Sequence, residues 1–215
     1  MPKLRVLEIG GTPHEMGYQH GKPYIQEIRD LTEERLHLSG DPRWIGGRSL
    51  TREQVLALGE LCVAEHWAYS PELMEELEGM SQATGLGLAE LVILNGFTDF
   101  VDVAANYDRV MNPQLAAHPA ADDCTAFVVP NVASPDGHSF IGQTWDMHET
   151  ALPYVLLLKG RPKNKPAFLL FTITGCIGMI GMNDAGIAIG INNLTGNDGQ
   201  IGVTWTFVVR KVMEQ

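Results

Sequence analysis

The sequence predicts an α+β fold. Apolar residues recur at helical spacing through most of the first hundred positions. From residue 124 onward they give way to short runs bounded by turn residues, and one last helical pattern opens at Thr204. Helices first, then consecutive antiparallel strands, then a helix, fit one structural domain, which is also what 215 residues suggest.

Lys3 to Ile9 reads as a short strand ended by Gly10-Gly11. Thr12-Pro13-His14-Glu15 is then a helix start: Thr12 caps, Pro13 suits the first helical position, and Glu15 completes a capping box. Tyr24, Ile28, Leu31 and Arg35 share a stripe, and Gly17 and Gly21 share a face. Two glycines inside a helix cost about 1 kcal/mol each against alanine, which makes sense if that face lies against another backbone. Further helices are expected over 51–67, from Ser70-Pro71 with Leu73, Leu77 and Met80 on one side, and over Leu88 to Asn95.

Residues 106–123 keep no period and read as an exposed loop long enough to suggest a role. Strands are expected over Cys124–Pro130, Ser139–Trp145, Tyr154–Lys159, Ala167–Thr174 and Gly186–Leu194. Turns are expected at Ser134-Pro135-Asp136-Gly137 and Asn183-Asp184-Ala185-Gly186. The helical pattern from Thr204 runs to the end of the sequence without a cap, as in an incomplete chain.

Composition excludes several classes. With 45% hydrophobic and 19% charged residues the chain is not of disordered type. A net charge of -11 gives no general attraction to nucleic acid or anionic lipid, and neither is expected as a partner. The longest apolar stretches, such as Ala167 to Phe171, are about five residues, against about 20 for a membrane span. No apolar core of signal-peptide length opens the chain, so the expected location is the cytoplasm. The pattern sets no oligomeric state.

Cys62, Cys124 and Cys176 are too few and too widely spaced for a disulfide framework or a metal knot. Cys62 and Cys176 read as packing residues. No metal site is expected: His14 and His20 do not share a helix face, and Asp146, His148 and Glu149 have no second cluster to join. Cys124 stands where the polar segment becomes a strand. A small buried hydrophobe is the ordinary reading there. The other is a nucleophile released by cleavage of the preceding bond. Its own α-amine, with a reference pKa near 7.7–8.0, would then take the thiol proton without any histidine.

In the run Ile187 to Asn193, alternation puts Ile187, Ile189, Ile191 and Asn193 on one face and Ala188, Gly190 and Asn192 on the other. The small-residue face leaves room for a ligand and makes Asn192 the candidate polar group, whose amide can donate to a developing oxyanion.

Four blocks carry a resemblance. They are Gly10-Gly11-Thr12-Pro13-His14-Glu15-Met16-Gly17-Tyr18-Gln19-His20-Gly21, Asp123-Cys124-Thr125-Ala126, Gly142-Gln143-Thr144-Trp145-Asp146, and Gly181-Met182-Asn183-Asp184-Ala185-Gly186 running on to Ile191-Asn192-Asn193-Leu194. In this order they resemble the acyl-CoA:6-aminopenicillanic acid acyltransferase (isopenicillin N acyltransferase) family, the C45 autoproteolytic peptidases. The resemblance implies an N-terminal nucleophile (Ntn) hydrolase fold, an αββα four-layer sandwich incomplete at the C-terminus. It implies cleavage between Asp123 and Cys124. Residues 1–123 would form a mostly helical α-chain with a processing linker over about 106–123, residues 124–215 the start of the β-chain, and the two would stay associated.

The resemblance further implies Cys124 as nucleophile and Asp146 as the carboxylate beside the new amino terminus. Asn192 would be the third catalytic group, with Asn193, Thr144 and Trp145 as oxyanion or substrate contacts. The implied reaction is amide or thioester hydrolysis, or acyl transfer, on a small acylated substrate through an acyl-cysteine. No cofactor is implied, acyl-CoA entering as a co-substrate. The alternative within the same superfold is a choloylglycine/penicillin V acylase-like or dipeptidase-like hydrolase, since the last block also resembles bile salt hydrolases and penicillin V acylases, but Gln143 stands where bile salt hydrolases carry an arginine. The remaining alternative is a non-catalytic homologue or an inactive fragment, since later family segments have no counterpart before Gln215.

Overall fold

Thr12 caps the first helix as its chemistry dictates: its hydroxyl accepts the Glu15 N–H at 3.3 Å while the Glu15 carboxylate accepts the Thr12 N–H at 2.8 Å. That helix follows β1 (Arg5–Gly11) in a computed structural model that describes residues 4–111, 124–147, 149–193 and 199–215. The expected linker therefore lies largely outside the described residues, as do Asp123, His148 and Leu194.

The helices are α1 (Pro13–Gly21), α2 (Ile25–Leu38), α3 (Arg52–Tyr69), α4 (Pro71–Thr84), α5 (Leu88–Asn95), α6 (Phe97–Ala105), α7 (Tyr107–Met111) and α8 (Trp205–Val212). Lys22–Tyr24 form a 3-10 turn between α1 and α2, where Pro23 supplies no backbone N–H. The described strands are β1, β2 (Ala126–Val129), β3 (Phe140–Gln143), β4 (Val155–Pro162), β5 (Phe168–Ile173), β6 (Ile180–Asn183) and β7 (Ala188–Ile189). The chain is thus mixed α and β, as the sequence predicts.

Five details differ from the sequence reading. Helix α6 was not expected, and α7 occupies the start of what reads as loop. Strand β6, which runs into the expected turn at 183–186, was not expected either and gains its ladder from β5. Helix α8 closes at Val212, ahead of the chain end, with the Met213 N–H bonded to the Val209 carbonyl. The expected strand over 186–194 is a true ladder only at Ala188–Ile189.

The Gly17 face of α1 lies against the backbone of α4, as its two glycines imply. A Cβ on Gly17 would sit 1.7 Å from the Glu76 carbonyl oxygen, and one on Gly79 would sit 2.0 Å from that of His14. Helices α1 and α4 therefore cross backbone to backbone, an approach that only glycine permits.

Five strands form one sheet in the order β1-β4-β5-β6-β7, with β1 parallel to β4 and the other pairs antiparallel. The connection from β1 to β4 carries α1 through α7. Strands β2 and β3 form a separate antiparallel pair, joined through a turn where Gly137 takes φ 72°. One face of the large sheet is covered: Ile9, Leu156, Leu158, Phe168 and Leu170 pack with Met16 of α1 and with Met213. A larger core fills the helical layer and also takes in Ile173, Cys176, Ile177, Met179 and Phe207. The segments before and after residue 124 thus share one interior. The other sheet face leaves Val6, Leu169 and Met182 exposed.

Candidate active site

Cys124 lies two residues ahead of the start of β2, and its thiol is free and half-buried. Cys62 and Cys176 are each 2% exposed. Burial raises both of those thiols above their usual range, Cys176 to about 12.

Antiparallel pairing of β2 with β3 places Ala126 opposite Gln143, and the residues just outside the ladder continue the match. The Thr144 N–H donates to the Thr125 carbonyl at 2.9 Å, and the Thr125 N–H donates to the Thr144 hydroxyl at 3.2 Å. That hydroxyl donates in turn to an Asp146 carboxylate oxygen at 2.9 Å. The residue next to the thiol is therefore linked through one hydroxyl to Asp146.

The third group arrives from the far end of the large sheet. Strand β7 leaves β6 after Ile189, and the following residues meet β3 through the Gln143 side chain. Gln143 Oε1 accepts the Ile191 N–H at 2.6 Å, and Gln143 Nε2 donates to the Ile191 carbonyl at 2.8 Å. One residue on, Asn192 Nδ2 donates to the Cys124 carbonyl oxygen at 2.8 Å.

Cys124, Thr144, Asp146 and Asn192 thus belong to one hydrogen-bonded constellation. Asn192 sits on the nucleophile candidate's own carbonyl and holds its main chain. Asn193 is half-buried beside it. Alternation along 144–147 turns Trp145 away from Thr144 and Asp146. Its ring meets Phe171 edge-on at 5.9 Å and borders a cavity of about 30 Å³ with Arg35, Ile173, Cys176, Met179 and Trp205. That volume holds about one water, so Trp145 serves here as an anchor between the strand end and the body. Gln143 carried no functional expectation. No local pattern marks it, since the glycine that makes room for its amide lies far along the chain: a Cβ on Gly190 would lie 2.6 Å from Gln143 Oε1.

Chemically the arrangement offers a reachable thiol with a fixed main chain, a carboxylate oriented by a threonine, and an amide donor. Residues 132–215, which include Gln143, Asp146 and Asn192, match the family model of acyl-coenzyme A:6-aminopenicillanic acid acyl-transferase. The family resemblance read from the sequence holds.

The acyl-coenzyme A:6-aminopenicillanic-acid-acyltransferase 40 kDa form of Emericella nidulans is 28% identical over 190 residues, 86% of this chain and 45% of that protein. An uncharacterized protein of Archaeoglobus fulgidus is 25% identical over 206 residues, 90% of this chain and 33% of that one. The chain spans less than half the length of these curated relatives. Among the described residues no helix is long and apolar enough to cross a membrane.

Proposed function

We propose that this chain is the nucleophile-bearing part of a self-processing Ntn cysteine hydrolase or acyltransferase that acts on small acylated amides or thioesters. The observation that carries the reading is the junction at Cys124. Cys124 carries the one half-exposed thiol among the three cysteines and stands just ahead of a strand; Asn192 donates to its main-chain carbonyl, and its neighbour Thr125 is tied through Thr144 to Asp146.

In the proposed processing step the Cys124 sulfur attacks the Asp123 carbonyl carbon. The S–C bond forms, the Asp123–Cys124 C–N bond breaks, and the thiol proton leaves on the departing nitrogen. Water hydrolyses the resulting thioester, giving the Asp123 carboxylate and a Cys124 with a free α-amine. In turnover that amine takes the thiol proton, the thiolate attacks the acyl carbon of a substrate, and the leaving amine or thiol departs with the proton. Water as acceptor completes hydrolysis; an amine as acceptor completes transfer, with acyl-CoA as one donor class. Asp146 orients the α-ammonium or amine, and Asn192 fixes the main chain of the nucleophile. Asn193 is the second candidate donor for the oxyanion.

The two pieces are proposed to remain together. Strand β1 of the first pairs along its length with β4 of the second, and His20 and Asn95 bond to the backbone of residues 175–177. The exposed apolar residues on the outer face of the large sheet, together with Phe127, Val128, Phe140 and Ile141 of the small one, suit stacked sheets between helical layers.

The test is acyl trapping. A chromogenic thioester incubated with the protein should leave one acyl group on Cys124, found by peptide mass mapping and absent from Cys124→Ala. Acylation spread over surface lysines, with none on Cys124, would overturn the reading.

A further inference from the structure

The geometry points to Gln143 as the positioning residue that seats Asn192 on Cys124, by acting as a one-residue strand between the two sheets. This inference deepens the proposed function and rests on it for its catalytic consequence.

Three observations converge. The Gln143 side-chain amide makes the reciprocal pair of bonds that a neighbouring peptide group would make, accepting from the Ile191 N–H at 2.6 Å and donating to the Ile191 carbonyl at 2.8 Å. It also donates to the Thr144 carbonyl at 3.2 Å, which ties it to the segment carrying Asp146. Gly190, immediately before Ile191, leaves the space the amide needs, since a Cβ there would be 2.6 Å from Gln143 Oε1.

The β6–β7 ladder has ended at Ile189. Among the described contacts, Gln143 then takes over the pairing of the chain, one residue before Asn192 reaches the Cys124 carbonyl. An amide is required for this task because it donates and accepts in one plane. A carboxylate can only accept, and would face the Ile191 carbonyl with like charge.

The test compares Gln143→Glu, Gln143→Leu and Gly190→Ala with the parent chain. The readouts are the rate of Cys124 acylation by the chromogenic thioester from pH 4 to 9 and the hydrogen exchange of the Ile191 amide, with circular dichroism reporting the fold. Gln143→Leu and Gly190→Ala should slow acylation on the order of a hundredfold at every pH, the loss typical of a small misplacement of reacting groups. Gln143→Glu should approach the parent at low pH, where the protonated carboxyl donates to the Ile191 carbonyl. It should fall away as the pH rises through its pKa. A purely structural role would give no such new ionisation in the ratio of variant to parent.

Parallel pH profiles for Gln143→Glu and the parent would overturn the inference. If the parent itself never acylates, the proposed function fails, and amide exchange decides the positioning claim separately. Faster exchange of Ile191 in Gln143→Leu sustains it; unchanged exchange overturns it.

Discussion

Arg210 of α8 and Glu76 of α4 meet at 3.0 Å, each side chain 1% exposed. The pair lies on opposite sides of residue 124 in sequence. Arg210 also bonds Glu214 at 3.0 Å and stacks over Phe168 at 4.2 Å. Burial raises the Glu76 carboxyl above its usual range despite the guanidinium beside it. Glu76→Ala should cost about 3 kcal/mol in urea unfolding, the lower part of the range for orphaning a buried charge, because Glu214 still pairs with Arg210. Joint replacement by Leu at 76 and Met at 210 should cost far less.

The crossing of α1 and α4 gives a second expectation. Gly17→Ala forces a Cβ into the Glu76 carbonyl, and Gly79→Ala does the same against His14. Each should cost about 1–3 kcal/mol or more, a drop in melting temperature of roughly 2–4 °C per kcal/mol for a chain this size. Gly186→Ala is a contrast. No atom stands within 4 Å of its Cβ position, so any loss comes from its φ of +90° alone.

Acid should weaken the fold through His20. Its Nε2 accepts the Gly175 N–H at 3.1 Å, and complete burial lowers its pKa from 6.5 to about 4. The unfolded chain binds this proton more readily, so stability present above pH 6.5 is lost as the pH falls toward 4, up to about 3 kcal/mol. Asp99 acts in the opposite sense. It accepts the Trp205 N–H at 2.7 Å, and burial raises its carboxyl from 3.8 to about 6. The folded state holds that proton more readily, so this contribution grows as the pH falls from 6 to 4, by about 1–2 kcal/mol after discounting partial exposure. Urea titrations should therefore show a steeper acid loss in Asp99→Asn and a shallower one in His20→Gln.

Thr144 joins Thr125 to Asp146 through one hydroxyl. Thr144→Val should slow Cys124 acylation by about tenfold or more, in line with the loss of a hydrogen bond to a charged group at about 1.5–3 kcal/mol. Thr144→Ser should retain most of the parent rate. Equal rates in both variants would remove Thr144 from the site.

Where local chemistry decides, the sequence was legible. The Thr12–Glu15 box, Ser70-Pro71 and the turn before Gly186 are each set by a few neighbouring side chains. The Gly17 face announced a close contact without naming α4. What stayed hidden depends on partners remote in sequence. Residues 180–183 become β6 because β5 lies alongside them. The ladder after Ile189 ends because Gln143, nearly fifty positions earlier, takes its place. Phe97, Phe100, Val101 and Ala104 have helical spacing, but the strong loop signal after Asn106 obscures the helix they build. At the site, residue types marked Cys124, Asp146 and Asn192 as candidates. The role of Gln143 required the fold.

The intact mass of the purified protein, followed by N-terminal sequencing, bears most directly on the central claim. Self-processing predicts two co-purifying polypeptides, the second beginning at Cys124, and a single uncut chain in Cys124→Ala. A parent chain that stays in one piece while still transferring acyl groups would contradict it.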